Sequence, residues 1–316
     1  MYIKSLFWQM INNIIKFFLE IFVFDKKIRR ILKGNWAKFY LRKYVKLGVG
    51  YVTNSIVHAS NREKNPSLSE NDNIHLPVIW QYWESSDGSV PVLVQTCMNS
   101  VEKYKGNCQR IILTYENIKD YIELPDFIYK MKESGKMCTA HFVDIIRTAL
   151  LVKYGGIWID ATVLLTDIIP EYITNSELFF FRTDEKYDLD GLCGTNYFIS
   201  AATPDNIILK EVLASMISYW KENSFLVNYY SHMHIITLVC KKHPDILKNI
   251  PFYSFYPVQQ LQWELLTPFN ETRWNQLKKM TSVHKLTYKT KILTKKKDFD
   301  INGTFYEYII NEFNKF

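Results

Sequence analysis

Apolar residues recur along the first 24 positions at Ile3, Leu6, Phe7, Met10, Ile14, Phe17, Phe18 and Ile21. That is the three-and-four spacing of one helical face, and Ser5, Gln9, Asn12, Asn13, Lys16 and Glu20 fill the opposite stripe. The polar interruptions are too frequent for a spanning helix, which wants roughly 20 mostly apolar residues. A clean apolar stretch ending in a small-residue cleavage site, the mark of a signal peptide, is also missing. Residues 60–73 (SNREKNPSLSENDN) are polar and read as a linker, which divides the chain into an N-terminal helical extension (1–59), the linker and a main domain (74–316). In that domain strand and helix patterns alternate. LPVIWQYW (76–83) reads as a strand, and Pro91 opens a helix to about Tyr104. QRIILTYE (109–116) is a second strand; residues 126–136 and 139–154 are helices, the latter capped by Thr139. GIWID (156–160), LFFFRT (178–183) and YFISAA (197–202) are strands, 206–222, 229–242 and 271–280 helices, and VHKLTYKT (283–290) a late strand. The alternation predicts an α/β layered domain with a mostly parallel central sheet.

Composition adds two constraints. Five cysteines, odd in number and without C-x-x-C, argue against a disulfide framework or a zinc site and for a reducing compartment. The net charge of +7 is local: residues 1–50 hold eleven Lys or Arg against Glu20 and Asp25, a charge of +9, which leaves −2 for the rest. A nucleic-acid surface across the main domain is therefore not expected. An amphipathic helix followed by a basic stretch suits an anionic membrane surface; packing of that helix on its own domain or on a second copy is the alternative.

The chemistry concentrates in HFVDIIRTALLVKYGGIWIDATV (141–163). Gly155 and Gly156 end a helix and permit a tight turn into a strand whose carboxyl end carries Asp160, where ligands of open α/β sheets bind. A carboxylate there suits a hard divalent cation, or it caps a neighbouring backbone N–H. The preceding helix is apolar around most of its circumference, so Asp144 and Arg147 either pair with each other at i, i+3 or project toward a polar ligand. No G-x-G-x-x-G, Walker lysine or H-E-x-x-H occurs. His232 and His234, two apart on a helix, cannot share a metal.

The run D-x-x-R-x-x-x-L-x-x-x-G-G-I-x-x-D resembles the signature of sugar transferases of the GT-A type with a DXD motif, nearest to the bacterial capsular polysaccharide synthesis proteins. LPVIWQYWESSDGSVP resembles that family's first strand and loop, and VHKLTYK its late element, so the likeness spans about residues 76–290. It implies a Rossmann-like nucleotide-sugar domain. It also implies transfer of a hexose from a UDP- rather than a GDP-sugar, with retention, to a glycan or lipid-linked oligosaccharide on the cytoplasmic face of the membrane. Asp160 takes the first acid of DXD and a Mn²⁺ or Mg²⁺ ion, while Asp144 and Arg147 hold the donor sugar. Trp83, or Trp80, stacks on the base; Trp158 lies beside the donor, and Asn196 near the sugar pocket. Thr162 stands where the second acid belongs, so the phosphates, water and a residue of the late strand complete the shell: His284, as metal ligand, or Lys285, as phosphate cation. That substitution keeps open a second reading, a catalytically silent scaffold on a transferase fold.

Overall fold

The computed structural model describes residues 2–51, 77–85, 88–183, 188, 191–289 and 300–315. The linker expected at 60–73 lies outside them. The central sheet consists of β1 (Val78–Tyr82), β2 (Gln109–Leu113), β3 (Gly156–Ile159), β5 (Leu178–Arg182) and β6 (Gly194–Ala201), in the order β2-β1-β3-β6-β5. β1 pairs parallel with β2 and β3, while β6 is antiparallel to both β3 and β5. Four strands thus run one way and β6 alone runs back, the mostly parallel α/β sheet expected from the alternation. Trp80, Trp158 and Ile199 are buried on one face and Ile79, Ile157 and Phe179 on the other. Burial on both faces explains strands written as continuous apolar runs. A separate antiparallel pair joins β4 (Val163–Leu165) to β7 (Val283–Lys285), with Val163 opposite Lys285 and Leu164 opposite His284.

Around the sheet lie α3 (Val92–Tyr104), α4 (Asp126–Glu133), α5 (Thr139–Tyr154), α7 (Ile207–Glu222), α8 (Ser231–Lys242) and α11 (Glu271–Met280). Not expected from the sequence are β4, α6 (Glu171–Thr174), α9 (Pro244–Asn249), α10 (Phe255–Glu264) and α12 (Phe305–Phe313). Each is short or lacks a clean polar stripe. Several boundaries move by one to five residues, and two of these changes bear on the site. Thr139 is the first residue of α5 rather than its cap, which is Cys138, without a capping side chain. The late strand shrinks from eight residues to the three of β7.

The N-terminus forms two helices, α1 (Tyr2–Phe22) and α2 (Lys26–Tyr51). α2 belongs to the body: Tyr40 donates to Asn223 Oδ1 at 2.7 Å, Asn223 donates to Tyr44 Oη at 2.7 Å, and both rings meet Tyr219. α1 is turned opposite to a packing amphipathic helix. Its polar stripe faces the protein: Ser5 accepts from the Ser224 N–H at 3.2 Å, Asn12 accepts from Trp36 at 3.1 Å, and Lys16 donates to the Leu226 carbonyl at 3.3 Å. Its apolar stripe faces outward, with Ile3 83% and Phe17 61% exposed. Packing of the apolar stripe on its own domain is therefore not what holds α1. No helix among the described residues is long and apolar enough to cross a membrane.

Candidate active site

Two glycines fix where the central carboxylate stands. Gly155 and Gly156 have φ of +68° and +90°, and a Cβ on Gly156 would lie 2.3 Å from the Val78 carbonyl oxygen. Any side chain there would push β3 away from β1. β3 then delivers Asp160 one residue beyond its end, where the backbone N–H donates to Tyr197 O at 2.9 Å, and a tight turn carries Thr162 into β4. Because β6 runs antiparallel, its first residues sit at this same edge. Asn196 therefore joins the carboxyl ends of β1 and β3.

Arg147 links the two carboxylates. Its Nη2 lies 3.4 Å from Asp144 Oδ1 and 3.3 Å from Asp160 Oδ1, its Nη1 donates to the Asn196 carbonyl, and its guanidinium covers the Trp158 ring at 5.0 Å. Both arrangements open to Asp144 and Arg147 are realised, since they pair with each other and also reach Asp160. Asn196 donates to Asp144 Oδ1 at 2.9 Å, and Trp158 Nε1 donates to Asp160 Oδ1 at 2.9 Å. From β7, Lys285 Nζ lies 3.1 Å from Asp160 Oδ2 and donates to the Thr162 hydroxyl. Burial opposes charge on Asp160, but Arg147 and Lys285 outweigh it and hold the carboxyl below its ordinary range. Asp144 is likewise held low against its burial by His232, Arg147 and His141.

Trp83 lies just past β1, against Val94, Met98 and Ala161, and its ring meets Tyr288 edge-on at 5.5 Å. Through Trp83 this pair therefore packs on Ala161, the residue that follows Asp160. Trp80 is not available to a ligand: it is buried inside β1, donates to the Gly155 carbonyl at 3.1 Å and packs on Tyr121 and Tyr154. Trp158 is also fully buried, so it orients Asp160 and carries Arg147 without offering a face of its own. His284 is corrected too. Strand alternation turns it away from Asp160 into the core beside Trp274, with Thr166 Oγ1 3.3 Å from its Nε2, and burial pushes its pKa down to about 3.

Three further residues stand around Asp144; of these the sequence reading weighed His232 alone, and only as a metal ligand. His141 Nδ1 is 3.3 Å from Asp144 Oδ2, and His232 Nδ1 is 3.2 Å from Oδ1. Spacing at i, i+3 was the available signal for His141; nothing local marks His232, which α8 brings in. Tyr229 meets His141 edge-on at 5.7 Å. Arg147 Nε and His141 Nε2 are buried with no hydrogen-bond partner among the described residues.

Burial lowers the His141 pKa, but hydrogen bonds to Asp144 and Cys138 prevail and raise it to about 9; the Cys138 thiol falls to about 7. A folded pKa above the unfolded value near 6.5 stabilises fully below that pH and is lost as pH rises through about 9. His141→Gln should therefore flatten the fall in melting temperature between neutral pH and pH 9. An unchanged alkaline limb would show that His141 is not charged in the fold.

Residues 26–309 match the family described as capsular polysaccharide synthesis protein. The chain belongs to that family. The match begins at α2 and so extends beyond the stretch read from motifs, consistent with α2 being part of the body. A solved structure titled PaToxG Glycosyltransferase aligns over 90% of this chain and 98% of its own, with TM-score 0.41 and 13% identity. No curated protein matches. In this capsular polysaccharide synthesis protein the turn offers the expected Mn²⁺ or Mg²⁺ a single carboxylate, so such an ion would take its other oxygens from donor phosphates and water. Asp160 is the one carboxylate at the turn, its oxygens already face Arg147 and Lys285, and the Thr162 hydroxyl accepts from Lys285. Among the described residues no three His, Cys, Asp or Glu side chains converge on a metal position.

Proposed function

We propose that this capsular polysaccharide synthesis protein transfers a hexose from a nucleotide-sugar donor to a glycan or lipid-linked acceptor at the cytoplasmic face of the membrane. The observation that carries this reading is Asp160 held between Arg147 and Lys285 beside the Trp83–Tyr288 pair. Uridine as the base and retention at the anomeric carbon rest on the motif likeness alone. As the glycosidic bond breaks, charge builds on the leaving diphosphate, and fixed cations stabilise it more in the transition state than in the ground state. Lys285 and Arg147 are those cations. Lys285 stands beside both Asp160 and the hydroxyl of Thr162, where the motif would otherwise hold its second acid and a metal. Asp144, ionised and fixed by Asn196 and Arg147, accepts from sugar hydroxyls.

The test is a panel of UDP- and GDP-sugars screened by thermal shift with and without EDTA, followed by turnover of whichever donor binds. A matched donor should raise the melting temperature, and turnover should survive chelation within about twofold. Lys285→Ala should lower kcat by about 10²–10³ with a smaller change in KM, and Lys285→Arg should recover part of the loss. Abolition by EDTA and restoration by Mn²⁺ would overturn the assignment of Lys285. Absence of binding and hydrolysis across the panel would favour the silent scaffold.

A further inference from the structure

Between α1, the start of α2 and residues Val227–Tyr230 runs a groove of about 480 Å³. Its charged lining is Lys16, Lys26, Arg29, Arg30 and Lys33 against Glu20 alone, a local charge of +4. Arg29 and Lys33 share Glu20, and the Arg30 guanidinium lies 5.9 Å from the Tyr230 ring centre. Like charges gathered around one carboxylate repel unless an anion joins them. One residue of its lining, Tyr229, also touches His141, the partner of Asp144. Finally, α1 contributes Lys16 and Glu20 to the groove while presenting Phe17, Phe18 and Ile21 to the outside.

We propose that this groove seats the phosphate or diphosphate head of a lipid-borne acceptor while the outer face of α1 lies in the bilayer surface. The inference deepens the transfer reading above and rests on it. Two features select a lipid over a soluble anion or a second copy. The cations meet phosphate oxygens with charge-assisted hydrogen bonds, and the same helix offers an apolar face of the kind that enters the headgroup boundary. Tyr229 and His141 then stand between the phosphate end of the acceptor and Asp144.

The experiment is co-sedimentation of the full chain with three vesicle preparations: neutral phosphatidylcholine, phosphatidylcholine with phosphatidylglycerol, and phosphatidylcholine with a polyprenyl diphosphate at matched surface charge. Wild type should prefer the diphosphate vesicles over the charge-matched ones by about tenfold or more. The Lys26→Gln/Arg30→Gln protein should lose that preference to within about twofold while still binding phosphatidylglycerol, and Lys26→Arg/Arg30→Lys should keep it. The Phe7→Ser/Phe17→Ser/Phe18→Ser protein should leave all three preparations, its exposed positions costing the fold little. Inorganic pyrophosphate should compete poorly, for want of the apolar term. Equal binding by wild type to both anionic preparations would overturn the proposal. So would retention of the preference by the groove variant, or a wild-type dimer that the phenylalanine variant abolishes. Donor hydrolysis in solution, which needs no lipid, is measured alongside. Its absence with an intact lipid preference would sink the transfer reading and not the groove, and the reverse result would sink only the groove.

Discussion

Arg147→Met should abolish transfer and lower the unfolding free energy by about 3–5 kcal/mol, the cost of stripping one partner from a buried ionic cluster. Arg147 is 5% exposed and stands between Asp144 and Asp160, so its loss leaves two carboxylates facing each other with no cation between them. His141 and Lys285 remain to neutralise one carboxylate each, which is why the fold should survive at all. Adding Asp160→Asn removes one of the stranded charges. The double variant should regain part of the stability and none of the activity. Urea denaturation of wild type, both single variants and the pair, with donor turnover on each, reads both outcomes. Additivity of the two stability losses within about 0.5 kcal/mol would show that Arg147 and Asp160 do not act through one another.

Asp160→Asn alone should behave differently: about a 10³-fold loss in kcat or more, with little loss of fold. Its side chain is 23% exposed and keeps the Trp158 N–H as a donor, so the amide costs stability on the order of 1 kcal/mol. The kinetic loss is larger because the carboxylate positions both Arg147 and Lys285, and the amide holds neither by charge. Misplacement of fixed cations is felt most where charge develops, so kcat should fall further than donor affinity. Near-normal turnover by a folded Asp160→Asn protein would remove Asp160 from the mechanism.

The elements that sequence revealed are those whose period is written locally. The α5 helix, the glycine pair and the strand leading to Asp160 follow from spacing and backbone sterics, whereas it is the likeness to sugar transferases that implied one site for Asp144, Arg147 and Asp160. What stayed hidden depends on partners distant in the chain. The spacing of α1 shows which stripe is apolar, but not that hydrogen bonds to Ser224, Trp36 and Leu226 turn its polar stripe inward. His284 and Lys285 differ by one position, and only pairing with the three-residue β4 decides which of them meets Asp160. Trp80 and Trp83 are separated by the end of β1, so one is walled in by neighbours and the other stands at the rim. His232 and Tyr229 arrive from a helix and loop with no local mark of chemistry.

The pairing of β4 with β7 carries a consequence for how the chain assembles. These strands are short, and no hairpin turn aligns them. A slip of one position would bring His284 toward Thr162 and drive the Lys285 ammonium into the apolar space beside Trp274. Stranding an ammonium there, with Asp160 left half-neutralised, makes the slipped alignment far less favourable than the correct one. Lys285 therefore proofreads the alignment of two segments that lie far apart in the chain. Its exchange for leucine should yield a mixture of two packings in that corner, seen as doubled amide resonances for residues 162–165, before any substrate is added.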